Sequence, residues 1–564
     1  MKKNLLIILL IVGLGIGTVL PFFQHRFFNV HDNTQVARVY EMGIALSNGS
    51  FPVRWVPDLG YGYGYPIFNF YGPFPYYIGG VAYIIGITSL IATKIMFVLG
   101  ILVSGISMFF FSKKWFGSKA GIVSAILYLY FPYHAVNIYV RGAVGEFFAY
   151  AFLPLIFLGI FNLFENSFEK EHKKSFPTIL LLSFGVLLTS ISHNLSILMT
   201  LLLLVPSAVI MLVLAKRRIH FTTILLVGLL LGFLMSAFYI LPAFLEKDFT
   251  NVSSQIGGGA DFRNHFVCLQ QYWSSQWGFG GSTSGCLDGL SFALGKLNIL
   301  VLLASIGMLI VSVKQKRLDM QEKIALISLF ILVCAITMTL SISSPIWNSL
   351  SLLSYVQYPW RFINFVGLFI SFISGYLIYR VDMWKKNVGV VLCFTIILLA
   401  IVSSVSLFAP QNTTDLPSAY YEDKKYLTFE VSKISDEYLP SGFAVPQTIS
   451  QVPSTKIEIL KTAGTTNVEI NKPTYTKATY AVDQDGVFHV NTAYFPGWRA
   501  FINGKQAPIV PTVNGMNVSV TKGAGVLELK LQQTPIEILG NMLSVLAFLI
   551  LFTGIIRYYG KAIT

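Results

Sequence analysis

The sequence predicts a polytopic α-helical membrane protein with one β-rich domain on the extracytoplasmic side. Three observations predict it. The 564-residue chain is 54% hydrophobic with a mean hydropathy of +0.66, and only 12% of it is charged, whereas soluble chains are roughly a quarter charged. Twelve apolar runs approach the roughly 20 residues needed to cross a hydrocarbon layer about 30 Å thick. One long block alternates at period two instead.

The apolar runs lie near 4–22, 94–112, 120–138, 147–164, 175–191, 195–215, 221–243, 292–313, 324–343, 362–379, 387–408 and 536–556. The net charge of +14 does not mark a nucleic-acid-binding face, because half of the Lys and Arg residues fall in seven short segments between alternate runs. These are Lys2 and Lys3; Lys113, Lys114 and Lys119; Lys170, Lys173 and Lys174; Lys216, Arg217 and Arg218; Lys314, Lys316, Arg317 and Lys323; Arg380, Lys385 and Lys386; and Arg557 and Lys561. The positive-inside rule then expects both termini to be cytoplasmic. The run 71–91 is long enough to be a further span. A crossing there would place Lys113, Lys114 and Lys119 outside, so it is expected to be interfacial or partly re-entrant. The first run resembles a signal peptide but has no small-x-small cleavage site before Pro21, so an uncleaved anchor is expected.

This topology leaves 23–93, 139–146, 244–291 and 409–535 outside, with a membrane module over 1–408 and a last helix and tail over 536–564. Within 409–535, TKIEILKTAG, TTNVEINK, TKATYAVD, GVFHVNTAY and GVLELKLQQ alternate like strands broken by Gly, Asn and Pro. They predict an antiparallel domain of eight or more strands, with a passive spacer as the plainer alternative. Cys334 and Cys393 sit in apolar runs as core residues. Cys268 and Cys286 share one outer loop, where a disulfide fits an oxidising exterior and two free thiols are the alternative.

Candidate chemistry lies in the outer pieces. His31 and Asp32 follow the first run by about ten residues, either as reactive groups or as the cap of an amphipathic helix over 33–48. NGSFPVRWVPDLGYGYGYPIFNFYGPFPYY, with Arg54, Asp58 and Tyr61, interleaves aromatics with Gly60, Gly62 and Gly64. It suggests a close-packed loop offering rings to a sugar or isoprenoid chain. Tyr133, His134, Arg141 and Glu146 stand in the second outer loop, where charge at a membrane boundary is either paired or used on substrate. His193 with Asn194, and Tyr358, Trp360 and Arg361 in QYPWRF, complete the set. Arg361 is placed either to snorkel or to grip a lipid phosphate.

Several long motifs carry a resemblance: HD at 31–32, the aromatic loop at 48–77, YLYFPYHAVNIYVRGAVGE at 128–146, SHN at 192–194, SAFYILPAFLE at 236–246, QYPWRF at 357–362 and YFPGWRAFINGK at 494–505. The chain resembles, over essentially its full length, GT-C type membrane glycosyltransferases. More narrowly it is similar to YfhO-like and 6-pyruvoyl-tetrahydropterin-synthase-related bacterial membrane proteins, although no pterin chemistry is apparent in these motifs. The resemblance implies transfer of a sugar from a polyprenyl-phosphate-linked donor to an acceptor of the cell envelope, outside the membrane. It implies Asp32 as the catalytic base or a metal ligand, Glu146 as the second acidic position, and Arg141 and Arg361 near the donor phosphate. His31, Arg54, Asp58, Tyr61, Tyr133, His134, His193, Tyr358 and Trp360 are the remaining expected substrate contacts. A divalent cation, Mg or Mn, held by Asp32 and Glu146 is implied for some relatives, but this chain has no DxD there. No organic cofactor or nucleic-acid partner is expected.

Such a transfer needs a base for the incoming proton and positive charge for the departing phosphate. Since the leaving group is already a phosphate, one essential carboxylate suffices. Two other classes remain open on the sequence: a flippase for lipid-linked glycans, which requires a polar path at mid-depth, and a non-catalytic envelope scaffold.

Overall fold

The computed structural model describes residues 2–169, 175–315 and 318–560. Among them, ten helices are long and apolar enough to cross a membrane: Ser89–Leu129, Val144–Asn166, Ser175–Ser192, Asn194–Leu214, Arg218–Met235, Lys296–Lys314, Met320–Thr339, Pro359–Trp384, Lys386–Leu407 and Pro535–Tyr558. Eleven of the twelve expected runs map onto these ten helices, nine of them one to one and two on a single helix. The run 94–112 and the first half of 120–138 lie on the Ser89–Leu129 helix, which breaks at Gly117, whose φ of 85° is open to glycine and costly for other residues; the rest of the second run continues past Leu129 into Pro132–Ala135 and the turn after it. The first run yields only the 14-residue helix Lys2–Gly15, followed by tight turns through Phe23. The protein is a polytopic helical membrane protein with a β-rich region.

The centre of the bundle is set by Val144–Asn166 and Pro359–Trp384, which are buried along almost their whole length. Both are rich in Phe, and rings interlock between them and Ser89–Leu129: Phe111 stacks on Phe372 at 4.0 Å and Phe157 meets Phe369 at 4.8 Å. Between membrane-spanning helices such rings hold the bundle through van der Waals contact, since lipid surrounds the alternative state.

Charge marks the two ends of this bundle. Lys113 donates to Asn4, Lys114 pairs with Glu165 at 2.6 Å, Lys119 with Asp382 at 2.5 Å, and Arg380 with Glu322 at 3.2 Å. Glu165 closes the same helix that Glu146 opens, and that interval rises about 28 Å at 1.5 Å per residue. The basic end and the Glu146 end are therefore a hydrocarbon thickness apart. Lys170, Lys173, Lys174, Lys316, Arg317 and Lys561 lie outside the described residues.

Within 71–91 the helix Phe74–Ile84 has 11 residues, about 16 Å, half of what a crossing needs. It packs against the helix Gln35–Ser47 through a small-residue seam. A Cβ on Gly79 or Gly80 would lie 2.6 Å from Val39 or Met42, so only glycine allows this approach.

Eleven strands occur among the described residues. β1 (Phe27–Phe28) pairs with β2 (Thr413–Thr414), tying the start of the first loop to the start of the β-rich region. β3 (Ile457–Leu460), β6 (Gly486–Val490), β10 (Gly515–Val520) and β9 (Ile509–Thr512) form one sheet in the order β3-β6-β10-β9. β4 (Gly464–Lys472), β5 (Tyr475–Val482), β11 (Gly523–Leu531), β7 (Trp498–Ile502) and β8 (Lys505–Ala507) form the other in the order β4-β5-β11-β7-β8. Every pairing is antiparallel. Period-two burial places Ala478, Tyr480, Val482, Leu527 and Leu529 against Phe488, Val490, Met516 and Val518 of the other sheet. Tyr480 and Phe488 meet edge-on at 4.9 Å between them.

Candidate functional site

At the Glu146 end of the bundle lies a cavity of about 580 Å³, within the range of small-molecule and cofactor sites. Its lining is divided. Asp32, Arg38, Arg141, Glu146, His193 and Arg361 supply one wall; Leu198, Leu201, Phe233, Ile240, Ala243 and Phe244, from three consecutive helices, supply another that is apolar.

The polar wall is built where helices break. After Pro132–Ala135 the chain widens into a π-helical turn, Val136–Arg141, closed by Gly142 in the left-handed region at φ 65°. This turn brings Arg141 back over the first turn of the next helix. Arg141 Nη1 donates to Glu146 Oε2 at 2.8 Å, and its guanidinium lies 4.7 Å from the centre of the Trp360 ring. Arg361 Nε stands 3.4 Å from the same oxygen, while its Nη1 donates to the Val356 carbonyl at 2.9 Å. The other carboxylate oxygen accepts from the Tyr133 hydroxyl at 3.0 Å and from Asn364 Nδ2 at 2.7 Å. Glu146 is 2% exposed, so its charge is tolerated through this full set of donors. Two guanidiniums share one carboxylate, and the cluster keeps an excess positive charge beside the cavity.

The HD segment is held to the same turn. The backbone N–H groups of His31 and Asp32 donate to the carbonyls of Val140 and Arg141 at 3.0 and 2.9 Å. Gln35 Nε2 donates to the carbonyls of Asp32 and Gly142 at 3.2 and 2.8 Å. Thr34, not Asp32, occupies the cap position of the helix Gln35–Ser47, and no side chain caps it. The capping role expected as the alternative for Asp32 is therefore not what its side chain does; the carboxylate lines the cavity. His193, between Ser175–Ser192 and Asn194–Leu214, lines it too, with Nδ1 2.8 Å from Ser196 Oγ.

Five of the expected residues thus converge: Asp32, Arg141, Glu146, His193 and Arg361. Tyr133, Tyr358 and Trp360 stand behind them and support the guanidiniums, with Tyr358 stacked on Trp360 at 4.9 Å. The others are elsewhere. His31 Nε2 lies 2.8 Å from the Phe279 carbonyl and ties down the Cys268–Cys286 loop, whose disulfide is formed. His134 is fully buried, 3.0 Å from the Leu129 carbonyl and against Tyr150. Arg54 reaches Asn69 at 2.6 Å and Glu537 at 3.7 Å beside a separate pocket of about 170 Å³. Asp58 belongs to a buried group with Glu41; burial pushes its carboxyl up, opposed by Lys424 and Lys456.

The aromatic loop also departs from expectation. Tyr61, Tyr63 and Tyr65 are at most 4% exposed because their rings grip the chain's own 429–443 segment and not a ligand. Tyr61 meets Phe429 at 6.2 Å, Tyr63 meets Phe443 at 5.0 Å, and Tyr65 meets Tyr438 at 6.1 Å. That grip delivers residues the sequence did not mark. Ser435, Asp436, Glu437 and Tyr438 line the cavity opposite the membrane helices, as do Arg38 and Lys247. Burial pushes the carboxyls of Asp436 and Glu437 up. The only available signal was their acidity within an otherwise ordinary polar stretch.

A metal shared by Asp32 and Glu146 does not fit these residues, since both oxygens of Glu146 are already engaged by protein donors. No group of three His, Cys, Asp or Glu residues suited to a metal is found among the described residues.

Residues 68–412 match the family described as 6-pyruvoyl-tetrahydropterin synthase related domain, membrane protein. A protein of Lactococcus lactis subsp. cremoris (strain MG1363) is 27% identical over 288 residues, covering 48% of this chain and 45% of that protein. Among solved structures, the oligosaccharyltransferase of Archaeoglobus fulgidus in the apo form is similar with a TM-score of 0.46 at 12% identity, over 81% of this chain and 62% of that one. The same enzyme in complex with Zn and sulfate gives 0.44 at 14%, over 80% and 59%. The chain thus spans less than two thirds of the length of each of these proteins.

Proposed function

We infer that this chain, which belongs to the 6-pyruvoyl-tetrahydropterin-synthase-related membrane proteins, is a GT-C type glycosyltransferase. It moves a sugar from a polyprenyl-phosphate-linked donor to an extracytoplasmic acceptor of the cell envelope. Both termini are then cytoplasmic, and the cavity and β-rich domain face outward. The observation that carries the reading is the divided cavity: a cationic cluster with spare positive charge, a free carboxylate beside it, and an apolar flank running into the membrane helices. A ligand with a phosphate, a sugar and an isoprenoid tail has the same three parts.

In the proposed reaction an acceptor hydroxyl attacks the anomeric carbon. Its proton passes to the Asp32 carboxylate, the bond from the anomeric carbon to the phosphate oxygen breaks, and the electron pair leaves with the phosphate. Arg141 and Arg361 stabilise the charge that grows there. Glu146 does not touch the reacting atoms in this reading; it positions the two guanidiniums. The Asp32→Asn variant keeps the shape and removes the base. It should fold, reach the membrane, bind undecaprenyl phosphate, and transfer sugar from a defined undecaprenyl-phosphate donor about 10² to 10⁴ times more slowly. Turnover near wild type would defeat the assignment of Asp32.

A further inference from the structure

We propose that Arg38 holds a second phosphate group in this cavity, separate from the one that faces Arg141 and Arg361; the inference rests on the lipid-phosphate reading above. A guanidinium does not lose its proton in a protein, so burying one calls for compensating charge or a full set of acceptors. Arg38 is 4% exposed. Its partners are neutral: Nη2 donates to Ser435 Oγ at 2.8 Å, its guanidinium carbon lies 4.5 Å from the centre of the Tyr71 ring, and the Tyr76 hydroxyl interacts with it as well. Its Nε has no hydrogen-bond partner. Among the described residues it forms no ion pair, whereas Arg141 and Arg361 share Glu146.

Glu437 is the acid that approaches this group, and it does so indirectly, accepting from the same Ser435 hydroxyl at 3.1 Å. Burial pushes that carboxyl up, opposed by the Arg38 guanidinium, and among the described residues no carboxylate oxygen reaches Arg38 in an ion pair. The two cationic anchors belong to different elements. Arg38 is carried by the helix Gln35–Ser47 and pinned by the 432–438 segment, while Arg141 sits on the π-helical turn. Asp32 precedes Arg38 by six residues in the chain and is bonded through its backbone to Arg141. A phosphate oxygen is the acceptor that a planar guanidinium fork fits best. That phosphate comes either from a diphosphate in the lipid donor or from a phosphate carried by the acceptor.

The test uses the full-length protein in lipid nanodiscs and three probes: undecaprenyl phosphate, undecaprenyl diphosphate and sn-glycerol 3-phosphate. With a diphosphate donor, the diphosphate lipid binds about tenfold more tightly than the monophosphate, and Arg38→Gln removes the difference. With a phosphate on the acceptor, the two lipids bind alike, and glycerol 3-phosphate binds to protein loaded with undecaprenyl phosphate but not to the Arg38→Gln variant. Arg38→Lys, which keeps the charge without the fork, covers failure of the glutamine variant to fold and should weaken the discriminating contact about threefold. Equal lipid affinities with no glycerol 3-phosphate binding overturn the proposal. So does an Arg38 variant that weakens both lipids equally or changes nothing. If the wild type binds none of the three probes, the lipid-phosphate reading itself fails.

Discussion

Glu146 holds two buried guanidiniums with one carboxylate, and that arithmetic fixes what its loss does. Glu146→Ala leaves Arg141 and Arg361 facing each other without a counter-charge and strips Tyr133 and Asn364 of their acceptor. Breaking a buried pair in this way costs about 3 kcal/mol or more. Glu146→Gln keeps an acceptor for Tyr133 and Asn364 and should lose less. Thermal unfolding in detergent should therefore rank wild type above the glutamine variant and that above alanine; an alanine variant as stable as wild type would contradict the account. Residues such as Arg141, Glu146 and Arg361 were legible in the sequence because a charge amid apolar neighbours stands out. Arg38 and Glu437 were not: Arg38 belongs to a helix read as amphipathic, where a charge is expected to face water, and Glu437 sits in the polar run 435–437. The helix Gln35–Ser47 reads as amphipathic yet buries both Arg38 and Glu41, Arg38 against Ser435 of the 432–438 segment and Glu41 beside Asp58 of the aromatic loop.

At the scale of elements, the spans were readable from length and apolarity, and the strands from alternation. The breaks that make the site were not. The π-helical turn at Val136–Arg141 and the short helix Phe74–Ile84 depend on tertiary contacts that no local pattern announces. The same holds where the last helix meets the bundle. Glu246 accepts from the Thr534 hydroxyl and shares Asn69 with Glu537, which in turn accepts from the Thr534 N–H at 3.0 Å. Burial, together with the nearby Glu537 charge, raises the Glu246 carboxyl to about 7. A raised acid binds its proton more tightly in the folded than in the unfolded state, so its stabilisation is present below about pH 4.5 and is lost as pH rises through about 7. The melting temperature of the wild type should therefore carry a component that falls between about pH 4.5 and 7, and Glu246→Gln should flatten it. An unchanged pH profile in the variant would refute this origin.

On the scale of the whole molecule, the β-rich region is not a cap set over a finished site. Its leading segment is a wall of the cavity, with Tyr65 OH donating to the Ser435 carbonyl at 3.0 Å and Tyr61 N–H to Ser432 Oγ at 3.0 Å. Deleting 412–533 with a short closure should therefore weaken binding of undecaprenyl phosphate as well as abolish transfer; lipid binding equal to wild type would show the wall to be dispensable. The same wall sets an order of events during synthesis. Asp32 leaves the ribosome about 400 residues before Glu437, a delay of roughly 20–80 s at about 5–20 residues per second. Arg361, the last member of the cationic cluster, precedes Glu437 by 76 residues, so for roughly the last 4–15 s of that interval the chamber has its cations and lacks one side. On the proposed function, the site is complete only once the 432–438 segment has been made, so a half-built protein does not act on the lipid pool around it.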